Sequence, residues 1–258
     1  MSGSILETKV LSKAFGGLTA VDKIDLSVEV GKITSVIGPN GAGKTTLFNL
    51  IAGVYMPSSG DIVFEGKLLG NAPPHERAAL GIARTFQNVL LFDNMTTLEN
   101  VMTGQHPRSR YGFFEAALRL PKAHREEETI SLKARQYLNL VGLGMCAERN
   151  PLSLPLGQQK LLTIARAMAT EPKLLLLDEP GAGLNILEKQ SLSELIRRIR
   201  EMGITIILVE HDMDLVMGIA EWVVVLDSGQ KIAEGTASQI QKDRRVIAAY
   251  LGEEEATD

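Results

Sequence analysis

The nine residues Gly38–Thr46, "GPNGAGKTT", constrain this chain more than any other stretch. They match the pattern G-x-x-x-x-G-K-[ST], with Gly38, Gly43, Lys44 and Thr45 at the fixed positions. The run before them, "ITSVIG", Ile33 to Gly38, reads as a buried strand, and a helix is expected from Lys44 to about Ala52. In that setting glycines let the backbone curl until successive N–H groups face inward, toward an anion. The helix start adds its dipole and its unused donors. Lys44 is placed to neutralise β- and γ-phosphate charge, and the Thr45 hydroxyl to ligate Mg2+. All of Gly38, Pro39, Asn40, Gly41, Ala42, Gly43, Lys44, Thr45 and Thr46 are therefore expected to line a phosphate site.

A second stretch supplies carboxylates. "LLLLDEP", Leu174 to Pro180, is a run of leucines ending in Asp178 and Glu179. Unbroken apolar character fits a central parallel strand covered on both faces, and ligands of open α/β sheets bind beyond the C-terminal ends of such strands. Asp178 is expected in the Mg2+ shell and Glu179 beside an attacking water.

Around these two stretches the pattern of elements is legible. "KVLSKAFGGLTAVDKIDLSVEVGKI" alternates apolar and polar residues between glycines, as half-buried antiparallel strands do, and "GDIVFEGKLL" reads as a further hairpin strand. From about Ala78 to Glu148 the periodicity is helical, with a charged run from Lys122 to Arg135 that reads as a solvated helix face. Then follow a helix "GQQKLLTIARAMAT", the leucine strand, a helix "LEKQSLSELIRRIREM", a buried strand "ITIILVE", a helix "DLVMGIAEW" and a hairpin "VVVLDSGQKIAEG". Strands alternating with helices predict a parallel sheet with crossover helices. The expected fold is α/β, and it resembles a P-loop NTPase (RecA-like) core with an antiparallel β subdomain and an inserted α-helical subdomain. The nucleotide domain is placed at 5–250, with the helical part inserted over about 88–160, and 251–258 as an acidic, frayed tail.

Composition narrows the class. The chain has 258 residues, 45% hydrophobic and 22% charged, as an ordinary globular protein of one large domain has. Its net charge of −4 gives no pointer to nucleic acid. The one cysteine, Cys146, reads as a small buried hydrophobe, permits no intramolecular disulfide and fits a reducing compartment. "MSGSILETKV" lacks the basic-then-apolar layout of a secretory signal. No apolar run approaches the ~20 residues of a membrane span, so any membrane role is expected to be peripheral, through a partner.

With these motifs in this order, the chain resembles the ATP-binding subunits of ABC transporters over nearly its whole length. "RTFQNVLLF" places Gln87 like the Q-loop glutamine, which touches Mg2+ and water and communicates with the membrane subunit. "GAGLN", Gly181 to Asn185, resembles the D-loop at the dimer interface. "LVEHDM" places His211 like the switch histidine on the γ-phosphate, and "KAFGGLTAV" places Phe15 like the aromatic residue that stacks on adenine. The resemblance implies an ATP hydrolase with ATP and Mg2+ bound. Its catalytic residues would be Glu179, His211, Gln87 and Lys44, and its metal residues Thr45, Gln87 and Asp178. "FGGLTAV", "RTFQNV", "MTTLENV", "EPGAGLN", "VIAAYLGEE" and the stretch Gly104 to Glu127 are similar to the branched-chain amino-acid uptake subgroup. This implies membrane permease subunits, an associated solute-binding protein and a place on the cytoplasmic side of the inner membrane. A lipopolysaccharide-type export ATPase and a soluble ABC ATPase without a transporter are the alternatives. The latter is disfavoured by the single phosphate loop and the lack of sustained heptads.

One departure from the family pattern bears on assembly. In the family, two subunits sandwich ATP between the phosphate loop of one and the signature, usually LSGGQ, of the other. The matching stretch here is Leu154-Pro155-Leu156-Gly157-Gln158. Pro155 has neither hydroxyl nor N–H, and Leu156 puts a side chain where a glycine is usual. Losing one preorganised donor costs about 3 kcal/mol in comparable sites, and Ser153 is a substitute only if its loop shifts. Pairing with a different ATP-binding subunit is favoured over a homodimer, because this chain's phosphate loop would then face an intact signature.

Overall fold

The computed structural model describes residues 3–108 and 121–254. Its spine is a six-stranded sheet in the order β10-β9-β3-β8-β7-β6. The strands are β3 (Ile33–Ile37), β6 (Ile82–Arg84), β7 (Leu174–Asp178), β8 (Thr205–Val209), β9 (Trp222–Asp227) and β10 (Gln230–Gly235). All neighbours pair in parallel except β9 and β10. Every residue of β3, β7 and β8 is buried. Because side chains alternate along a strand, the same leucine run serves two cores. Leu175 and Leu177 join Ile206, Leu208 and Ile33 on one face, and Leu174 and Leu176 join Ile207, Val209 and Val36 on the other. This is why the strand reads as apolar throughout rather than alternating.

The second face is closed by a four-stranded antiparallel sheet, β2-β1-β4-β5. It comprises β1 (Ser4–Phe15), β2 (Leu18–Glu29), β4 (Ser59–Phe64) and β5 (Lys67–Leu68). Leu11, Val21 and Phe64 of this sheet share a core with Phe48 and Leu50 of helix α1 (Lys44–Ile51). The first face is covered by α3 (Thr97–Met102), α4 (Pro121–Leu140), α5 (Leu156–Ala169) and α6 (Ile186–Glu201), through residues such as Val101, Leu138, Leu162 and Ile196. Cys146 is half-buried and packs against this same core. The remaining α-helices among the described residues are α2 (Pro74–Leu80), α7 (Met213–Ile219), α8 (Ala237–Ile240) and α9 (Arg244–Glu254).

Three sequence expectations are corrected. The helical texture placed from about Ala78 is interrupted by β6, an edge strand whose Ile82, Ala83 and Arg84 pair with Leu174, Leu175 and Leu176. Three residues are too short to show a period of two, so only the pairing defines it. The helix "DLVMGIAEW" stops at Ile219, and Trp222 opens β9 instead. The tail expected to be frayed from residue 251 is helix as far as Glu254, the end of α9. Much of the Gly104 to Glu127 stretch lies outside the described residues, as do 255–258. The charged run is on α4 as expected, and Arg135 of it pairs with Glu148 at 2.9 Å.

One buried cation holds the end of α1. Arg77 is fully buried and donates to the carbonyls of Leu50 (2.5 Å), Ile51 (2.9 Å), Ala72 (2.8 Å) and Gly70 (3.2 Å). A cation at a helix C-terminus meets both the dipole and the last unpaired carbonyls. Arg77→Met is expected to lower unfolding free energy by about 3 kcal/mol, the scale of two charge-assisted bonds lost. Urea denaturation measures this, and a loss below about 1 kcal/mol contradicts the assigned role.

Candidate functional site

The loops that follow β3, β7 and β8 meet at the C-terminal edge of the six-stranded sheet, where such sheets bind ligands. The loop after β3 is held between two backbones. A Cβ on Gly38 would stand 2.0 Å from the Leu226 carbonyl oxygen, and one on Gly43 would stand 2.3 Å from that of Ala20. Both glycines also have positive φ, 147° and 97°, so no side chain is tolerated at either. The clamp is tightened by hydrogen bonds from Gly229 N to Ala42 O (3.2 Å) and from Asp22 N to Gly229 O (2.8 Å). Gly38 and Pro39 are buried, while Asn40 and Gly41 stand exposed at the rim.

Inside this loop Lys44 is buried, and its Nζ donates to the carbonyls of Gly38 (2.6 Å) and Pro39 (2.8 Å). The ammonium therefore already lies over the cradle. Thr45 is exposed at the first turn of α1 and Thr46 is half-buried. Inward backbone, a cation over it and an exposed hydroxyl at a helix start are the groups a polyphosphate and a hard divalent ion require.

The carboxylates lie across the sheet from this loop. Asp178 is buried and ion-paired to Arg84 at 2.7 Å, with both side chains under a tenth exposed. Its backbone N–H donates to Thr85 Oγ1 at 3.3 Å. Glu179 follows with φ of 46°, a left-handed conformation uncommon outside glycine and concentrated at functional sites. Its N–H donates to the Val209 carbonyl (2.9 Å), and its carboxylate accepts from Gln87 Nε2 (2.8 Å). The structure thus brings Gln87 and Glu179 together. His211 is exposed after β8, and its N–H donates to Glu210 Oε2 at 3.2 Å.

Phe15 ends β1 at the hairpin whose other strand carries Ala20, the residue against Gly43. It is 42% exposed, stands edge-on to Tyr55 with centroids 5.2 Å apart, and lies under the Lys13 ammonium at 5.1 Å. An exposed aromatic pair of this kind offers a face to a flat base.

The stretch matched to the signature is placed at the start of α5. Pro155 is the residue that precedes the helix, with φ −55° and ψ 153°, a conformation natural to proline. The exposed Leu156 side chain reaches Gly183, and Gly157 has the Glu188 carboxylate and Leu184 against it. Gln158 is half-buried beside it. Ser153, the expected substitute donor, spends its hydroxyl on the Asn150 carbonyl at 2.7 Å.

Four further residues carry the site. Arg84 holds Asp178. Tyr55 backs Phe15. Lys160 is buried and donates to the carbonyls of Glu179 (3.1 Å) and Pro180 (3.4 Å) and also to that of Ala182, tying α5 to the turn after β7. Burial lowers its pKa, opposed by the charges of Glu210 and Glu179. Glu210 is fully buried and accepts from Gly181 N at 2.6 Å as well as from His211 N, linking the turns after β7 and β8. The sequence did hold a signal for Lys160: it lies on a largely apolar helix face with Ile164, Ala167 and Met168, beside Thr163.

A cleft of about 630 Å³ opens beside the site, lined by Val54, Pro74, Arg84, Phe86, Phe92 and Arg166 among others. Phe86 and Phe92 are half exposed there.

Comparison with known proteins supplies the family. The family model described as ABC transporter matches residues 21–182. The chain belongs to the ABC transporter family. A second model, Branched-chain amino acid ATP-binding cassette transporter, matches residues 230–256. The chain is 44% identical to the high-affinity branched-chain amino acid transport ATP-binding protein BraF of Pseudomonas aeruginosa over 98% of its length and 100% of that protein's. It is 43% identical to the LivG protein of Escherichia coli, described in the same words, with the same coverage. Among solved structures, the nucleotide-free form of an ATP-binding cassette from an ABC transporter superposes with TM-score 0.84 at 33% identity, covering 96% of this chain and 98% of that one. The ADP conformation of an ATP-binding cassette of an ABC transporter matches with TM-score 0.84 and 33% identity, covering 96% and 99%. As an ABC cassette the chain binds nucleotide and is an ATP hydrolase.

Burial raises the pKa of Glu210 above its ordinary 4.5, against the lowering effect of its backbone donors and His211. The folded chain therefore holds this proton more tightly than the unfolded chain. Glu210 costs stability as pH rises from the ordinary value through the folded value, and the full penalty stands above both. Glu210→Gln removes that dependence. The stability difference between Glu210→Gln and the parent is expected to shift in favour of the variant as pH rises above the ordinary carboxylate range. Denaturation midpoints measure it, and a difference constant with pH contradicts the charge state assigned.

Proposed function

We propose that this chain is the ATP-hydrolysing subunit of a branched-chain amino-acid importer, acting as one half of an ATP-closed dimer beneath membrane permease subunits. The observation that carries the solute class is the full-length identity to proteins described as branched-chain amino acid transport ATP-binding proteins. The position proposed is peripheral, on the cytoplasmic side of the inner membrane; among the described residues no helix is long and apolar enough to cross a membrane. The solute is selected by a binding protein and the permeases, since nothing in a nucleotide site reads it.

The chemistry follows from the resting contacts. Lys44 leaves the Gly38 and Pro39 carbonyls for the β/γ-phosphates, while the loop's N–H groups take the rest of the anion. Thr45, Gln87 and Asp178 would hold Mg2+, which would supply neutralisation of phosphate charge. Gln87 must release Glu179 for that carboxylate to polarise the attacking water. His211, projecting from a turn anchored by Glu210, meets the γ-phosphate. Phe15 stacks on the adenine.

A second subunit completes the site by presenting its signature to this loop. The reciprocal site, facing Pro155, lacks both the hydroxyl and one N–H, so a heterodimer with one fast and one slow site is favoured over a homodimer. The apolar cleft beside β6 suits a segment of a permease, and it borders Arg84 and the strand that leads to Gln87.

Two outcomes test this reading. Glu179→Gln is expected to keep ATP binding and to lower turnover by about 10²-fold or more; unchanged turnover refutes the assigned role. In a mixed dimer with a subunit carrying an intact signature, Pro155→Ser is expected to raise the rate of the slow site by about 10²-fold. Rapid-quench single-turnover counting of both sites measures this, and two equally fast sites in the unaltered mixed dimer would rule asymmetry out.

A further inference from the structure

Arg84 is not part of the phosphate loop, the carboxylate pair or the switch residues, yet its guanidinium stands between two of them. One nitrogen donates to Asp178 Oδ2 at 2.7 Å and another to Asn49 Oδ1 at 2.6 Å. The plane lies near the rings of Phe48 (5.8 Å) and Phe86 (5.1 Å). The side chain is 6% exposed. Asn49 lies on α1 four residues after Thr45, so the two side chains share one helix face, one turn apart. A single rigid fork therefore ties the strand end that carries Asp178 to the helix that carries Thr45.

We infer that Arg84 is a positioning residue that sets the spacing between Thr45 and Asp178, and with it the fit of the site to Mg2+. This rests on the metal reading given under Proposed function. A guanidinium suits the task because its donors are fixed in one plane, whereas an ammonium is a point charge on a flexible stem. The two terminal nitrogens of Arg84 each have their own acceptor, which holds the charge between them, while Nε is buried without one. Spacing matters most for Mg2+, which demands near-ideal octahedral geometry at about 2.1 Å, and much less for Ca2+, which accepts variable coordination at about 2.3–2.6 Å. Groups that orient metal ligands typically contribute about 10- to 100-fold in metal affinity.

The test measures how ADP binding to the full chain depends on divalent-ion concentration, with Mg2+ and Ca2+ in turn, by calorimetry. Arg84→Lys keeps the charge and loses the fork. Asn49→Ala cuts one prong and leaves the Asp178 pair intact, so it stays informative if Arg84→Lys does not fold. The expected result for both is an Mg2+ midpoint raised about 10-fold or more, with the Ca2+ midpoint moved much less. Equal shifts for the two ions, tighter binding of both, or no shift in either variant overturns the inference. An unaltered chain whose ADP binding ignores Mg2+ overturns the metal reading itself and the inference with it, while a normal Mg2+ response in the unaltered chain with unmoved variants overturns the inference alone.

Discussion

The rest of the site depends on the way the backbone of Gly38–Gly43 is wedged between the carbonyls of Leu226 and Ala20. Strand β3 is buried along its whole length, so the loop starts from a fixed point. The clash distances at Gly38 and Gly43 leave the chain one path from strand to helix. Neither contact partner is a motif residue: Ala20 belongs to the antiparallel sheet and Leu226 to β9. The antiparallel subdomain is therefore part of the phosphate site, and it brings Phe15 within a few residues of it on the same hairpin.

Around this wedge each charged group of the site has a partner within the chain. Lys44 lies on loop carbonyls, Asp178 on Arg84, Glu179 on Gln87, and Glu210 on the N–H groups of Gly181 and His211. Buried charges must be paired in this way, since an unpaired one costs several kcal/mol. The consequence is functional. In the mechanism proposed above, Lys44 and Gln87 exchange protein partners for substrate, so the resting contacts are alternatives to the working ones and not additions to them. Lys160 and Glu210 differ in kind: they hold the turns after β7 and β8 to each other and to α5, and need not move.

The phosphate loop, the buried strands and the carboxylate pair were legible in the sequence because each is local. Glycine spacing, an apolar run and a helix start all lie within a few residues of one another. Gln87, His211 and Phe15 were placed by resemblance and by order. The residues not read are those whose meaning is a contact at long range. Arg84 meets Asp178 across 94 positions, and Glu210 meets Gly181 across 29. The strand β6 was missed for the same reason, being too short to show its own period and defined by pairing with β7. The helical break after Ile219 was likewise set at long range, because Trp222 opens a strand that pairs with β3.

The most direct measurement is a calorimetric titration of the full chain with ADP and, separately, with adenosine. If the wedged loop and Lys44 are the dominant binding element, the two phosphates are held by at least two charge-assisted hydrogen bonds. ADP is then expected to bind at least about 100-fold more tightly than adenosine. Comparable affinities for the two would place the recognition on the aromatic pair at Phe15 and contradict the central role of the loop.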